Sequence, residues 1–136
     1  MTAAGSDIEP YGVLVHINPG GEHLSPARFL TALLEDIARA CEAAGASLIG
    51  HLKGVLRADG ARVYCSLTSL RAGARCRGDS MGRLQEGREV ELRLAVLVYG
   101  LSATTIDGIV EAALGKALAP TGSSWSKRAF FRAHNL

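Results

Sequence analysis

The dipeptide Asp59-Gly60 constrains this chain more than any other local feature. An Asp-Gly pair between alternating apolar residues favours a two-residue turn with positive φ, the tightest way to join two antiparallel strands. The stretch Ser47 to Leu70, SLIGHLKGVLRADGARVYCSLTSL, has this form. A two-residue turn fixes the register, so Val55 faces Tyr64, Lys53 faces Ser66 and His51 faces Thr68. Leu52, Leu56, Val63, Cys65 and Leu67 then form an apolar face. His51, Lys53, Tyr64, Ser66 and Thr68 form a polar one.

Other elements follow from periodicity. Residues 12–18, GVLVHIN, alternate as a strand with Val13, Val15 and Ile17 on one face. Ser25 and Pro26 are suited to the N-cap and first position of a helix. Phe29, Leu30, Leu33, Leu34, Ile37, Cys41 and Ala44 supply its apolar stripe. Glu35 and Arg39 are spaced for an i,i+4 pair, and Gly45 suits the helix stop. Residues 89–99, EVELRLAVLVY, give the clearest alternating strand. Ser102 caps a second helix to about Leu118, with Ile106, Ile109, Val110, Ala113, Leu114 and Ala117 as its buried stripe. Residues 71–88 contain four glycines and no apolar period, which predicts a long irregular connection.

The expected order is β-α-β-β-β-α. Two one-sided helices and four one-sided strands are satisfied by a two-layer α/β (α+β) sandwich, a four-stranded mixed sheet with both helices on one face. The arrangement is ferredoxin-like in spirit, lacking the terminal strand and carrying an extra strand before the second helix. Residues 1–120 form the single domain, with 1–11 frayed. Residues 121–136 form a basic, aromatic tail.

At 136 residues the chain can bury roughly two-thirds of its unfolded surface. Its 48% hydrophobic and 21% charged content fits a globular class rather than disorder. It has no apolar run of the ~18 residues a membrane span needs. Cys41, Cys65 and Cys76 form no C-x-x-C pair and read as reduced thiols of a cytoplasmic protein. The net charge of +2 is unevenly spread: residues 71–88 and 124–136 each carry +3, leaving the remainder acidic.

The sheet face away from the helices would display Leu14, His16, Asn18, Ile49, His51, Lys53, Val55, Tyr64, Ser66, Thr68, Leu70, Arg93, Ala95, Leu97 and Tyr99. This mixture of apolar and polar residues suits a homo-oligomer contact. Residue type gives His51 a general acid/base role, with Lys53 or Arg93 as an electrostatic anchor and Tyr64 or Ser66 as a positioning hydroxyl. No nucleophile-base-orienter set emerges from the spacing, so binding is favoured over catalysis. His16 and His51 share this face but lack a third metal ligand. Pro19-Gly20-Gly21 matches neither phosphate-loop pattern, and no cofactor is indicated.

Arg71, Arg75, Arg77 and Arg83 in the glycine-rich connection, together with Arg93, are candidates for binding an anionic small molecule or an anionic partner through guanidinium forks. Basic residues interleaved with Trp125, Phe130 and Phe131 raise nucleic acid as an alternative. The acidic remainder of the chain argues against a broad phosphate-binding footprint. Sequence therefore suggests a small homo-oligomeric binding or accessory module with its site in the Arg/Gly-rich loop.

Overall fold

A computed structural model describes residues 10–21, 24–78 and 81–131. The elements in chain order are β1 (Tyr11–Asn18), α1 (Pro26–Ala43), β2 (Leu48–Ala58), β3 (Ala61–Leu67), β4 (Ala74–Gly78), β5 (Val90–Tyr99), α2 (Ala103–Leu118) and β6 (Ser124–Phe130). His23, Asp79, Arg132 and His134, which bear on the sequence expectations, lie outside the described residues.

The hairpin forms as its turn dictates. Asp59 and Gly60 both adopt positive φ (51° and 80°). Val55 pairs with Tyr64 and Lys53 with Ser66. The ladder closes at Leu52–Leu67, so His51 and Thr68 do not pair. Leu52, Leu56, Val63, Cys65 and Leu67 are buried as expected.

Six strands form one sheet in the order β4-β3-β2-β5-β1-β6, and every neighbouring pair is antiparallel. This corrects the expectation of a four-stranded mixed sheet. β1 and β2 run parallel, as a crossover through α1 requires, but β5 sits between them. The same relation links β5 and β6 across β1. The terminal strand thought to be missing is therefore present as β6. It was hidden because SWSKRAF has alternating polarity without a strong apolar face. β4 was hidden for a related reason: ARCRG carries arginines and small residues, the composition of a protected edge strand.

Both helices contact each other, with α1 against β2, β3 and β4 and α2 against β1. The core between the layers contains Val13, Val15, Ile17, Leu30, Leu33, Ile37, Leu92, Leu94, Ile106 and Leu114, all fully buried. Gly54 lets α1 approach the sheet. A Cβ there would come within 2.6 Å of the Leu30 Cδ1 atom. The Ser102 hydroxyl accepts a bond from the Thr105 N–H at 3.2 Å, capping α2 as expected.

Two side-chain expectations change. Cys65 and Cys76 face each other across β3 and β4 and form a disulfide, while Cys41 is a buried free thiol. The expectation of three reduced thiols fails because β4 was unforeseen. Arg39 pairs with Asp36 at 3.1 Å rather than with Glu35. Glu35 instead accepts the Ala74 N–H at 3.2 Å, fixing the start of β4 to α1. Among the described residues, no helix is long and apolar enough to cross a membrane.

Candidate functional site

The helices cover one face of the sheet and leave the other open. Strand alternation assigns Arg75 and Arg77 on β4 to this open face, opposite Ser66 and Tyr64 on β3. It also assigns Lys53, Val55 and Arg57 on β2 and Glu91, Arg93 and Ala95 on β5 to that face. Arg62 joins them, directly opposite Arg57. On the far side are Leu14 and His16 of β1.

Three of the sequence candidates are therefore brought onto one surface: Arg75, Arg77 and Arg93. Arg71 lies in the exposed turn before β4. Arg83 lies elsewhere, lining a cavity with Arg28 of α1 and Lys116 of α2. The arginine-rich connection is thus a strand on the open face followed by a loop on another side.

Arg57 and Arg62 escaped attention because they flank the turn and look like solvated hairpin ends. The signal was available: the register that pairs Val55 with Tyr64 also places Arg57 opposite Arg62. Like charges directly opposite one another on adjacent strands are destabilising. Neither guanidinium has an ion-pair partner among the described residues, and the same holds for Lys53, Arg75 and Arg77.

Two arginines lie over aromatic rings. Arg77 is 5.5 Å from the Tyr64 ring centroid, and Arg93 is 5.9 Å from that of Phe131. Phe131 reaches this position because Gly12 has no side chain. A Cβ on Gly12 would lie 2.8 Å from the Phe131 ring, and the Phe131 N–H donates to the Gly12 carbonyl at 3.0 Å. Arg93 also pairs with Glu91 at 3.2 Å.

The possible proton-transfer groups are dispersed. His51 pairs with Leu97, whereas Tyr64 faces Val55, four residues along β2 from His51. That offset is roughly 13 Å along the strands. Burial, followed by repulsion from the Lys53 ammonium, holds His51 below the ordinary histidine pKa. His16 is farther away, with its Nδ1 3.5 Å from Glu89 Oε2. Among the described residues, no three His, Cys, Asp or Glu side chains converge on a point that would hold a metal.

Comparison with family models, curated proteins and solved structures returns no match for this chain.

Proposed function

We propose that this chain is a binding module for an anionic ligand or partner, and that the open sheet face is its contact surface. The observation carrying this reading is the concentration of cations on the open sheet face. Among the described residues, the open face carries Lys53, Arg57, Arg62, Arg75, Arg77 and Arg93, against Glu91 and the adjoining Glu89. The helix layer is close to balance, with Glu35, Asp36, Glu42, Asp107 and Glu111 against Arg28, Arg39 and Lys116, and with Lys127 of β6 bonded to Asp107 and Glu111. The modest positive net charge is thus concentrated on the open face. The facing Arg57–Arg62 pair supports this reading, since a bound anion would relieve its repulsion.

The test uses linear polyphosphate as the anion and calorimetric titration as the readout. Arg75→Glu with Arg77→Glu should abolish binding. Arg28→Glu with Lys116→Glu, on the helix layer, should leave it unchanged. Equal loss in both variants, or no binding by the unmodified chain at low salt, overturns the proposal.

A second reading concerns self-association. Leu48 is 60% exposed, and Leu14, Val55 and Leu97 are half-buried on the open face. A second copy packed there would cover apolar surface while opposing cations to cations, so anions would be needed between the copies. Sedimentation velocity at micromolar concentration, with and without polyphosphate, tests this. An anion-independent dimer disrupted by Leu97→Glu would assign the face to self-association instead.

A further inference from the structure

The register of the open face indicates what kind of anion it fits. Residues in register across the sheet fall into three successive rows. The first holds Arg62, Arg57, Glu91 and His16. The second holds Arg77, Tyr64, Val55, Arg93 and Leu14. The third holds Arg75, Ser66, Lys53, Ala95 and Gly12, with Phe131 lying over Gly12.

Each row has two cations. Arg62 and Arg57 supply the first, Arg77 and Arg93 the second, and Arg75 and Lys53 the third. Adjacent rows are two residues apart along the strands, or roughly 6.8 Å. Five of the six cations lie on β2, β3 and β4, so the charge follows the strand direction along one half of the sheet. In the second row Val55 and Leu14 flank Arg93, and Tyr64 and Phe131 are the aromatic rings of the face.

We infer that the ligand is a single-stranded nucleic acid lying along the strands, with its phosphates on the cation rows and its bases on the Tyr64 and Phe131 rings. This rests on the anion-binding reading above and specifies it. A regular step between cation rows suits a polymer with one negative charge per repeat. Flat rings among the cations suit bases, because every base has a π-face to stack. The guanidiniums of Arg77 and Arg93 already lie against Tyr64 and Phe131. A base taking either ring face releases a planar fork to a phosphate. Duplex fits poorly, since a broad sheet presents no protruding helix or narrow ribbon to a groove.

Among the described residues, the acidic remainder of the chain meets this ligand only at the first row, where Glu91 stands opposite Arg57. The helix carboxylates belong to the other layer of the fold.

The test measures fluorescence anisotropy of labelled single-stranded oligo-U and oligo-dT, about twelve nucleotides long, against a duplex of equal length and linear polyphosphate of matched charge. The single strands should bind more tightly than either competitor. Tyr64→Leu and Phe131→Leu should each weaken single-strand binding about fivefold or more, the lower end of base–aromatic stacking, and leave polyphosphate binding unchanged. Tyr64→Trp should retain binding, and circular dichroism should confirm that each variant is folded. Arg75→Gln should make the salt dependence shallower by about 0.7 log units per log unit of salt.

Polyphosphate binding equal to oligonucleotide binding, with no effect of the two Leu variants, overturns the nucleic-acid inference and leaves the anion reading standing. Tighter duplex binding also overturns it. Failure of both polyanions to bind overturns both proposals.

Discussion

The Tyr11 hydroxyl donates a 2.6 Å hydrogen bond to Asp107 Oδ1, joining the first strand to the second helix across 96 residues of chain. Asp107 Oδ2 also accepts from Lys127 Nζ of β6 at 2.9 Å, and Lys127 pairs further with Glu111. The network therefore fastens the last strand to α2. Tyr11 is 4% exposed, so its hydroxyl depends on this partner. Burial, then the Asp107 bond, raises its pKa well above the ordinary tyrosine value. Tyr11→Phe should cost about 1.5–3 kcal/mol in urea unfolding, the range for a hydrogen bond to a charged group.

The same network sets a pH dependence. Burial pushes the Asp107 carboxyl up, but bonds from Tyr11 and Lys127 outweigh it and hold the pKa below the ordinary carboxylate value. A group depressed on folding stabilises the fold above its unfolded pKa, about 3.9 for Asp, and loses that contribution as pH falls through the folded value. Bonds to Glu111 and Asp107 raise Lys127, so its contribution is lost only as pH rises through its elevated value. Melting curves from pH 2 to 7 should fall at the acid end, and Asp107→Asn should flatten that fall.

The Cys65–Cys76 bridge closes a short loop between strands with a sequence separation of 11. Replacing both residues by Ala should destabilise the fold by about 2–3 kcal/mol. It should also weaken anion binding, because β4 carries Arg75 and Arg77. Burial pushes the Cys41 thiol up to about 11, so it should react with a thiol reagent only on unfolding. Thiol titration of the denatured, unreduced chain should count one group, rising to three after reduction.

Gly54 faces α1, and an added Cβ would press on fully buried Leu30. Gly54→Ala should therefore destabilise by about 1–3 kcal/mol through overpacking. Gly54→Ala combined with Leu30→Val should recover part of the loss in thermal unfolding. Additive losses in the double variant would show that the two residues do not contend for this space.

His51 reports on the open face. Burial and Lys53 depress its pKa, so an anion neutralising Lys53 should raise it. Histidine proton chemical shifts followed through pH 5–8, with and without polyphosphate, should show that upward displacement. No movement at saturating anion would place the bound charge away from Lys53.

Sequence reading succeeded where a residue's meaning is local. Asp59-Gly60 set the β2–β3 register, and Val13, Val15 and Ile17 are buried as their alternation implied. It failed where pairing is remote. Arg75 and Arg77 read as loop residues because an edge strand rich in arginine has no apolar alternation, and only Ser66 and Tyr64 opposite them make the segment a strand. Cys76 gave no sign of its partner until that pairing existed. Phe131 required the space left by Gly12, 119 positions earlier in the chain.

β3 and β4 extend the sheet beyond β2, outside the interleaved strands that the two helices connect. Of the six open-face cations, Arg62, Arg75 and Arg77 lie on this outer pair and Lys53, Arg57 and Arg93 on the frame. The outer hairpin could be re-lettered, keeping Cys65, Cys76 and the buried face of β3, without disturbing the pairing of β2, β5, β1 and β6. This makes residues 61–78 a graftable margin on which new contact chemistry can be written while the frame beneath, and the Asp59-Gly60 turn, keep their sequence.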